Sequence, residues 1–251
     1  MRAVGIIPAR YSSTRFPAKP LIDIHGKSMI QRVYEQAAEV ELLHDLVVAT
    51  DDERIESHVQ GFGGKAVMTS SMHRSGTERC AEIAEQMPEV DLFVNIQGDE
   101  PYIQPGQILQ PLALLKDSPQ IDIATLAHII TDETEYKDRG VVKVVCNKHK
   151  EALYFSRSPI PFSSDDRIQA PVYFRHVGIY AYRRAALLAI AQLPACMVEQ
   201  VERLEQLRWL FHGYKIGVEQ TNYPSFSIDY PEDLAKLDRW LAQHSITSLK
   251  K

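Results

Sequence analysis

The sequence lacks the patterns that mark several common nucleotide, metal and redox sites. It contains no GxxxxGK[ST] phosphate-binding loop and no GxGxxG motif, so kinase-like and dinucleotide-binding interpretations lose support. The three cysteines, Cys80, Cys146 and Cys196, are widely spaced without a CxxC pair, which predicts reduced core thiols rather than disulfides or a zinc site. The nine histidines also lack paired zinc spacing. We therefore expect any metal to be a hard ion held by carboxylates.

Two further absences concern membranes and nucleic acids. No stretch of about 18 apolar residues occurs, and the first apolar run is too short for the core of a signal peptide. We therefore expect a cytoplasmic protein without a membrane partner. The formal net charge of −5 argues against general nucleic-acid binding, because that role needs a broad basic face.

Apolar runs that alternate with helical patterns predict an α/β fold. The 251 residues suit one large domain, or a large and a small one. Residues 141–182 are β-rich and interrupted by prolines, which predicts an antiparallel layer or a smaller second lobe. Strands of a doubly wound, mostly parallel central sheet are predicted at 4–7, 46–49, 92–96 and 123–130.

The predicted division is unequal. We expect a larger α/β domain over 1–130 and 200–251, and a smaller β-rich lobe over 131–199. Leucine patterns predict a helix over 204–211 and a last helix that begins at Pro231.

The loop after the first predicted strand concentrates positive charge. Arg10, Arg15 and Lys19 share this loop with the hydroxyls of residues 12–14. A basic, hydroxyl-rich loop at the carboxyl edge of a sheet is suited to a triphosphate, since guanidinium groups bind two phosphate oxygens and an ammonium acts as a movable charge. A solvated surface loop is the alternative interpretation.

Two aspartates at the ends of apolar segments are candidate metal ligands. Asp99 follows the apolar run 92–94, where ligands of open α/β sheets bind, and Gly98 beside it allows close backbone approach. A helix N-cap or a turn before Pro101 is the alternative for Asp99. Asp229 could complete a Mg²⁺ site or cap the helix at Pro231, and both roles can hold together.

Three polar clusters offer binding groups for an acidic, hydroxyl-rich partner. They lie at 75–79, 155–157 and 175–182. Arg157 can pair with a carboxylate through two parallel hydrogen bonds. For each of these residues a structural ion pair or a buried hydrogen bond is an equally good explanation, and Tyr180 and Tyr182 alternate as packing residues would.

Seven ordered segments together resemble one enzyme family, the 3-deoxy-manno-octulosonate cytidylyltransferases, also called CMP-Kdo synthetases. The resemblance covers residues 3–241. The segments are PARYSSTRFPAKPL, VATDDERI, SGTER, VNIQGDEP, ALYFSRSPIP, FRHVGIYAY and LEQLRWLFHGYKI.

The resemblance implies a nucleotide-diphospho-sugar transferase type of fold, a homodimer, and transfer of CMP from CTP to the eight-carbon sugar acid Kdo for lipopolysaccharide synthesis. It further implies that the domain over 1–130 and 200–251 binds the nucleotide and that the lobe over 131–199 serves sugar binding and dimerisation. It also implies roles for individual residues. Asp99 and Asp229 match the Mg²⁺ ligands and, with Arg10 and Lys19, the catalytic set. The nucleotide-binding residues by resemblance are Pro8, Arg10, Ser13, Arg15, Lys19, Ser75 and Gly76. The sugar-binding residues by resemblance are Gln97, Arg157, His176, Tyr180, Glu205 and Gln206.

Two departures from the family pattern bear on the residue roles assigned by resemblance. Ala18 stands where the family usually has Gly, and a methyl group there would strain the loop only at positive φ. Tyr230 stands where Thr is common, next to Asp229. Two other functions stay open: a cytidylyltransferase for another acidic sugar, such as 8-amino-Kdo or a sialic-acid-like acid, and a catalytically silent nucleotide-binding homologue.

Overall fold

The computed structural model describes residues 1–12, 16–162 and 173–244. Its strands and helices alternate along most of the chain. In chain order they are β1 Ala3–Ala9, β2 Asp23–Ile24, β3 Lys27–Ser28, α1 Met29–Ala38, β4 Leu43–Thr50, α2 Glu53–Gly61, β5 Ala66–Met68, α3 Gly76–Gln86, β6 Leu92–Asn95, α4 Pro105–Asp117, β7 Ile123–Ile130, α5 Glu133–Lys137, β8 Lys143–Cys146, β9 Ala152–Ser156, β10 Tyr173–Arg183, α6 Arg184–Ile190, α7 Met197–Glu202, α8 Gln206–Phe211, β11 Ile216–Gln220 and α9 Pro231–Gln243.

The chain divides into two compact units. The first comprises residues 1–109 and 223–251, and the second comprises residues 110–222. This structural division assigns more of the chain to the second unit than the predicted lobe over 131–199 does. The functional division between nucleotide and sugar stays a prediction.

The first unit contains a parallel sheet in the order β6, β1, β4, β5. Its central strand is almost wholly buried, and Ile6 lies opposite Val47 on one side and Asn95 on the other. Because parallel strands end at one edge, the segments after Ala9 and Asn95 emerge together. The sequence predicted β1, β4 and β6 correctly, whereas the short strand β5 was not predicted.

Helix ends in the first unit follow the local sequence signals. Ser75 precedes α3, and its Oγ accepts a hydrogen bond from the Glu78 amide at 3.2 Å. The Glu78 carboxylate in turn accepts from the Arg74 amide at 2.7 Å. After α2, Gly63 has φ +84°, which a glycine adopts without strain. Ser75 and Glu78 therefore fix the start of α3, and Gly63 ends α2.

The second unit contains the predicted β-rich layer. β7 pairs in parallel with β11 and antiparallel with β10, while β8 pairs antiparallel with both β10 and β9. The α/β class, with a parallel sheet and a smaller antiparallel part, is thus confirmed. None of the helices in the described ranges is both long and apolar enough to cross a bilayer.

Two expectations about apolar residues need correction. The predicted helix over 204–211 is shorter, because α8 begins at Gln206, and Phe211 at its last position is 65% exposed rather than packed. Cys80 and Cys196 are buried as predicted, but Cys146 is only half-buried. Burial still raises the pKa of the Cys146 thiol to about 11, so this thiol remains protonated at neutral pH.

Candidate active site

Three backbone segments of the first unit meet closely at the carboxyl edge of its sheet. A Cβ atom placed on Gly98 would lie 3.1 Å from the carbonyl oxygen of Pro8. A Cβ atom on Gly76 would lie 3.4 Å from both Pro8 Cγ and Asn95 Nδ2. The end of β1, the start of α3 and the loop after β6 are therefore in contact. Two of the predicted nucleotide-binding residues, Pro8 and Gly76, are neighbours here, and Ser75 immediately precedes Gly76.

One lysine joins the two candidate metal ligands. Lys19 Nζ lies 2.9 Å from Asp99 Oδ2 and 3.6 Å from Asp229 Oδ1. The backbone supports this arrangement, since the Ile228 amide donates to the Asp99 carbonyl at 3.0 Å. Residues far apart in the sequence are thus held together by both side-chain and main-chain contacts.

These three charged groups are partly shielded from water. The side chains of Lys19, Asp99 and Asp229 are 14%, 26% and 35% exposed. Within the described ranges, no group of three or more His, Cys, Asp or Glu side chains forms a metal site. Two carboxylates that converge on one positive charge fit Mg²⁺, which proteins commonly hold through one or two carboxylates while substrate phosphates and water complete the shell.

The N-terminus of α9 is held by a carboxylate from its own first turn. Asp233 Oδ2 accepts hydrogen bonds from the amides of Asp229 at 3.1 Å and Tyr230 at 3.0 Å, with Tyr230 at the N-cap position. Asp233 therefore acts as the N3 residue of a capping box, and the Asp229 carboxylate reaches Lys19. Tyr230 is 49% exposed, and its effect on Asp229 stays a prediction.

The basic loop after β1 is described only in part, because Ser13 and Arg15 lie outside the described residues. Arg10 directly follows β1 and is exposed, without an ion pair to any carboxylate in the described ranges. The far end of the loop is closed by a hydrogen bond from the Ala18 amide to the Tyr11 carbonyl at 3.1 Å. Ala18 itself has φ +58°, the conformation in which its methyl group is unfavourable.

We predict that Ala18→Gly stabilises the protein by about 0.5–1 kcal/mol. Relief of the left-handed conformation, about 1–2 kcal/mol, outweighs the larger backbone entropy of glycine in the unfolded chain, about 0.5–1 kcal/mol. Urea unfolding measures the difference in the free energy of unfolding between the variant and the unchanged protein. Ala235→Gly, at an exposed position inside α9, is the matched control and should cost about 1 kcal/mol. An equal loss of stability in Ala18→Gly and Ala235→Gly would contradict the prediction.

Arg157 in the second unit is held by main-chain carbonyl groups. Its Nε donates to the Glu202 carbonyl at 3.0 Å and its Nη1 to the Arg139 carbonyl at 3.2 Å. Its guanidinium forms no salt bridge with a carboxylate in the part of the chain that the structure describes. The fork is thus oriented without a salt bridge from a described carboxylate, although the Glu202 carboxylate accepts from the Arg157 amide at 2.9 Å, and this suits the binding of an anionic group.

Sequence reasoning missed the buried lysine behind Arg157. Lys143 Nζ donates to the carbonyl oxygens of Asp138, Val141 and Arg157 at 2.7–2.8 Å. Its side chain is fully buried, and desolvation lowers its pKa. The ammonium therefore fixes the main chain from which Arg157 projects. A lysine inside the apolar run VVKVV was the available signal.

His176 and Tyr180 lie on β10 in an aromatic cluster of the second unit. His176 Nε2 is 3.0 Å from Thr125 Oγ1, and burial lowers the pKa of His176 to about 3, so its ring is neutral at pH 7. Burial, helped by the nearby charge of Glu205, raises the pKa of Tyr180. The Tyr180 hydroxyl is buried and has no hydrogen-bond partner among the described residues. It can bind a polar group of a ligand.

The remaining predicted sugar residues divide between the units. Glu205 and the buried Gln206 lie at the start of α8, in the same unit as Arg157, His176 and Tyr180. Gln97 belongs to the first unit, half-buried in the loop between β6 and Asp99. The structure therefore groups five of the six candidates in one unit.

Comparison with known proteins defines the class and then the family. Residues 4–216 match the family described as Cytidylyltransferase, a class of nucleotidyltransferases. A Bacteroides thetaiotaomicron protein named 3-deoxy-manno-octulosonate cytidylyltransferase is 49% identical, over 98% of this chain and 100% of its own length. The Escherichia coli protein of the same name is 46% identical, over 96% and 97%.

A solved structure agrees in fold as well as in sequence. The structure of a CMP:2-keto-3-deoxy-manno-octonic acid synthetase complexed with CTP has a TM-score of 0.90 and 46% identity, covering 97% of this chain and 99% of that one. The chain belongs to the cytidylyltransferase family and, within it, to the 3-deoxy-manno-octulosonate cytidylyltransferases.

Proposed function

We propose that this protein activates Kdo with CTP, giving CMP-Kdo and pyrophosphate for lipopolysaccharide synthesis. Near-full-length similarity to enzymes with that name supports the substrates. The structural observation that carries the proposal is the convergence of Asp99 and Asp229 on Lys19 at the carboxyl edge of the first unit's sheet.

The reaction we propose is an in-line displacement at the α-phosphorus of CTP. The anomeric hydroxyl of the sugar attacks, and pyrophosphate leaves on the opposite side. The protein's contribution is alignment and charge neutralisation, because this transfer needs no covalent intermediate with a side chain. Arg10, Arg15 and Lys19 are the cations proposed to offset charge on the departing phosphates.

Asp99 and Asp229 are proposed to hold Mg²⁺. When bound, the ion would neutralise phosphate charge and polarise the α-phosphate. Lys19 then has two sets of partners, since its flexible stem can move the ammonium from the carboxylates to the triphosphate. Without CTP, the same ammonium offsets the repulsion between the two acids.

Recognition of the sugar is assigned to residues of the second unit. Arg157 is proposed to bind the sugar carboxylate, because its guanidinium is oriented by two carbonyl groups and forms no salt bridge with a described carboxylate. The neutral His176, Tyr180, Glu205 and Gln206 are proposed to bind hydroxyl groups.

We further propose that the protein is a homodimer. Leu153 on β9, Met197 and Val201 on α7, and Phe211 on α8 are 58–77% exposed, and α8 contacts both α7 and β9. Such an apolar face in one unit is typical of a subunit interface. The cytoplasmic location expected from the sequence stays a prediction.

The predicted interface is tested by Val201→Glu. A buried glutamate would oppose association, so we expect sedimentation velocity to show a dimer for the unchanged protein and a monomer for this variant. Met72→Glu, at an 82% exposed position in the first unit, is the control and should leave the dimer intact. A monomeric unchanged protein, or a dimer that survives Val201→Glu, would contradict the assignment.

A panel of sugar acids tests the activity itself. Pyrophosphate release is measured with CTP and Mg²⁺ against Kdo, 8-amino-Kdo and a sialic acid. We expect kcat/KM to be highest with Kdo. A preference for another acid would identify the alternative substrate, and CTP binding without turnover of any acid would identify a silent homologue.

A further inference from the structure

His25 lies at a strained turn in the first unit, remote in sequence from the acids that we place around the metal. It and Gly26 form the two-residue loop between β2 and β3, with φ +53° and +80°. Both positive values are those of a type I′ turn, in which Asn or Gly is preferred at the first position. A residue other than glycine is uncommon in this conformation, and histidine, like asparagine, adopts it more readily than most residue types.

The side chain of His25 connects two other segments. Its Nδ1 is 2.8 Å from the Tyr102 hydroxyl, and its Nε2 is 3.0 Å from Asp238 Oδ1. Tyr102 lies three residues after Asp99. Asp238 lies on α9, the helix that begins two residues after Asp229. His25 therefore joins the two segments that carry the candidate metal ligands.

The surroundings of this bridge make it rigid. Arg32 donates to the carbonyl oxygens of Ile24 and, at 2.8 Å, of His25, so the turn is fixed on α1. The guanidinium of Arg32 lies 5.4 Å from the centre of the Tyr102 ring. Tyr102 is 2% exposed and packs in one apolar cluster with Ile24, Met29, Ile228, Leu237 and Leu241.

The two halves of the bridge differ in strength. Asp238 is 67% exposed, so its contact with His25 is the weaker of the two. The Tyr102 hydroxyl, in contrast, is on a buried side chain, and a buried hydroxyl left without a partner is costly. The contact with Tyr102 is therefore the half that fixes His25.

We propose that His25 is a positioning residue for nucleotidyl transfer, which by bridging Tyr102 and Asp238 keeps the Asp99 and Asp229 carboxylates at the spacing that binds Mg²⁺. The inference rests on the proposed function for its catalytic consequence. Its structural part does not, because the hydrogen bond from the Ile228 amide to the Asp99 carbonyl reports the same spacing without substrate or metal.

His25→Asn is the informative variant. Asparagine suits a positive φ at least as well as histidine, so the turn is retained, whereas its shorter side chain cannot reach Tyr102 and Asp238 together. We expect the Ile228 amide to exchange about fivefold faster by NMR in the metal-free protein, the size of effect that one hydrogen bond supplies. We also expect the Mg²⁺ concentration for half-maximal rate to rise about three- to tenfold, with kcat at saturating Mg²⁺ within about twofold.

His58→Ala is the matched control. His58 is also a hydrogen-bonded histidine of the first unit, with Nε2 2.7 Å from Ser28 Oγ, and its ring packs on Phe62. Among the described residues, neither contact involves the segment of Asp99 or that of Asp229. In His58→Ala, the exchange rate of the Ile228 amide and the Mg²⁺ concentration for half-maximal rate should both stay within about twofold of the values for the unchanged protein. Tyr102→Phe removes only the buried hydroxyl and should produce the same changes as His25→Asn. It therefore tests the bridge even if His25→Asn folds poorly.

Each outcome decides the inference. Unchanged Ile228 exchange, or unchanged Mg²⁺ dependence of an active enzyme, in His25→Asn and Tyr102→Phe overturns it. Faster exchange by the same factor at Ile228 and throughout β1 also overturns it, since that result indicates a general loss of stability. If the unchanged protein does not turn over CTP and Kdo, the proposed function fails while the exchange measurement still decides the bridge.

Discussion

Asp99→Asn is expected to lower kcat about a thousandfold while KM for CTP changes little. The amide keeps the shape of the side chain but removes the charge that, with Asp229, is proposed to hold the metal on the α-phosphate. Loss of one preorganised electrostatic contact in an active site typically costs a factor of about 10²–10³, and a charged metal ligand belongs at the upper end. Steady-state pyrophosphate release at saturating CTP, Kdo and Mg²⁺ measures kcat.

A second aspartate provides the control. Asp91 immediately precedes β6, at the opposite end of the strand from Asp99, and its exposed carboxylate accepts a hydrogen bond from the Arg2 amide at 2.7 Å and lies 3.9 Å from the N-terminal ammonium. Asp91→Asn should retain kcat within about twofold. Asp99→Asn also removes an ion pair with Lys19, so its fold must be checked by circular dichroism. Full activity of a folded Asp99→Asn protein would remove the metal role from Asp99.

Arg157→Ala is expected to raise KM for the sugar acid about a hundredfold with a smaller fall in kcat. The guanidinium is fixed through Glu202 and Arg139 carbonyl groups, so a carboxylate can bind to it in a defined geometry. Loss of a charge-assisted bidentate contact costs about 2–3 kcal/mol, which corresponds to this factor. Initial rates over a range of Kdo concentrations measure the change.

Two further variants separate charge from geometry at this position. Arg157→Lys keeps the charge but not the fork, and it should recover only part of the affinity. Arg139→Ala removes an exposed guanidinium while keeping the carbonyl group that accepts from Arg157, so KM should stay within about threefold. A rise in KM for CTP instead of the sugar acid would contradict the assignment of Arg157.

Local pattern was sufficient for the elements that carry the acids. The buried runs that became β1 and β6 end directly before charged loops, and parallel strands deliver such loops to one edge. The sequence therefore predicted that the basic loop with Lys19 and the segment with Asp99 both lie at the carboxyl edge of the sheet. It could not decide between the two roles of Asp229, because a capping aspartate and a ligand look alike before a proline, and Asp233 as the capping group became visible only in the structure.

The contacts that support the site were not predictable, for a physical reason. The His25 contacts span 77 and 213 residues of sequence, and no periodicity links such positions. For Lys143 the sequence offers only the charge inside an apolar run; the three carbonyl groups that accept from it come from two separate segments. The positive φ at Ala18 similarly depends on how the loop closes on Tyr11, which composition does not encode.

The central claim is that Asp99 and Asp229 hold a divalent cation on the triphosphate. A crystal structure with CTP and Mn²⁺, in which the metal is located by its anomalous scattering, tests this most directly. We expect one metal peak within about 2.0–2.3 Å of an oxygen of each carboxylate, with Lys19 Nζ moved onto the phosphates. A metal bound elsewhere, with Lys19 still between the two carboxylates, would contradict it.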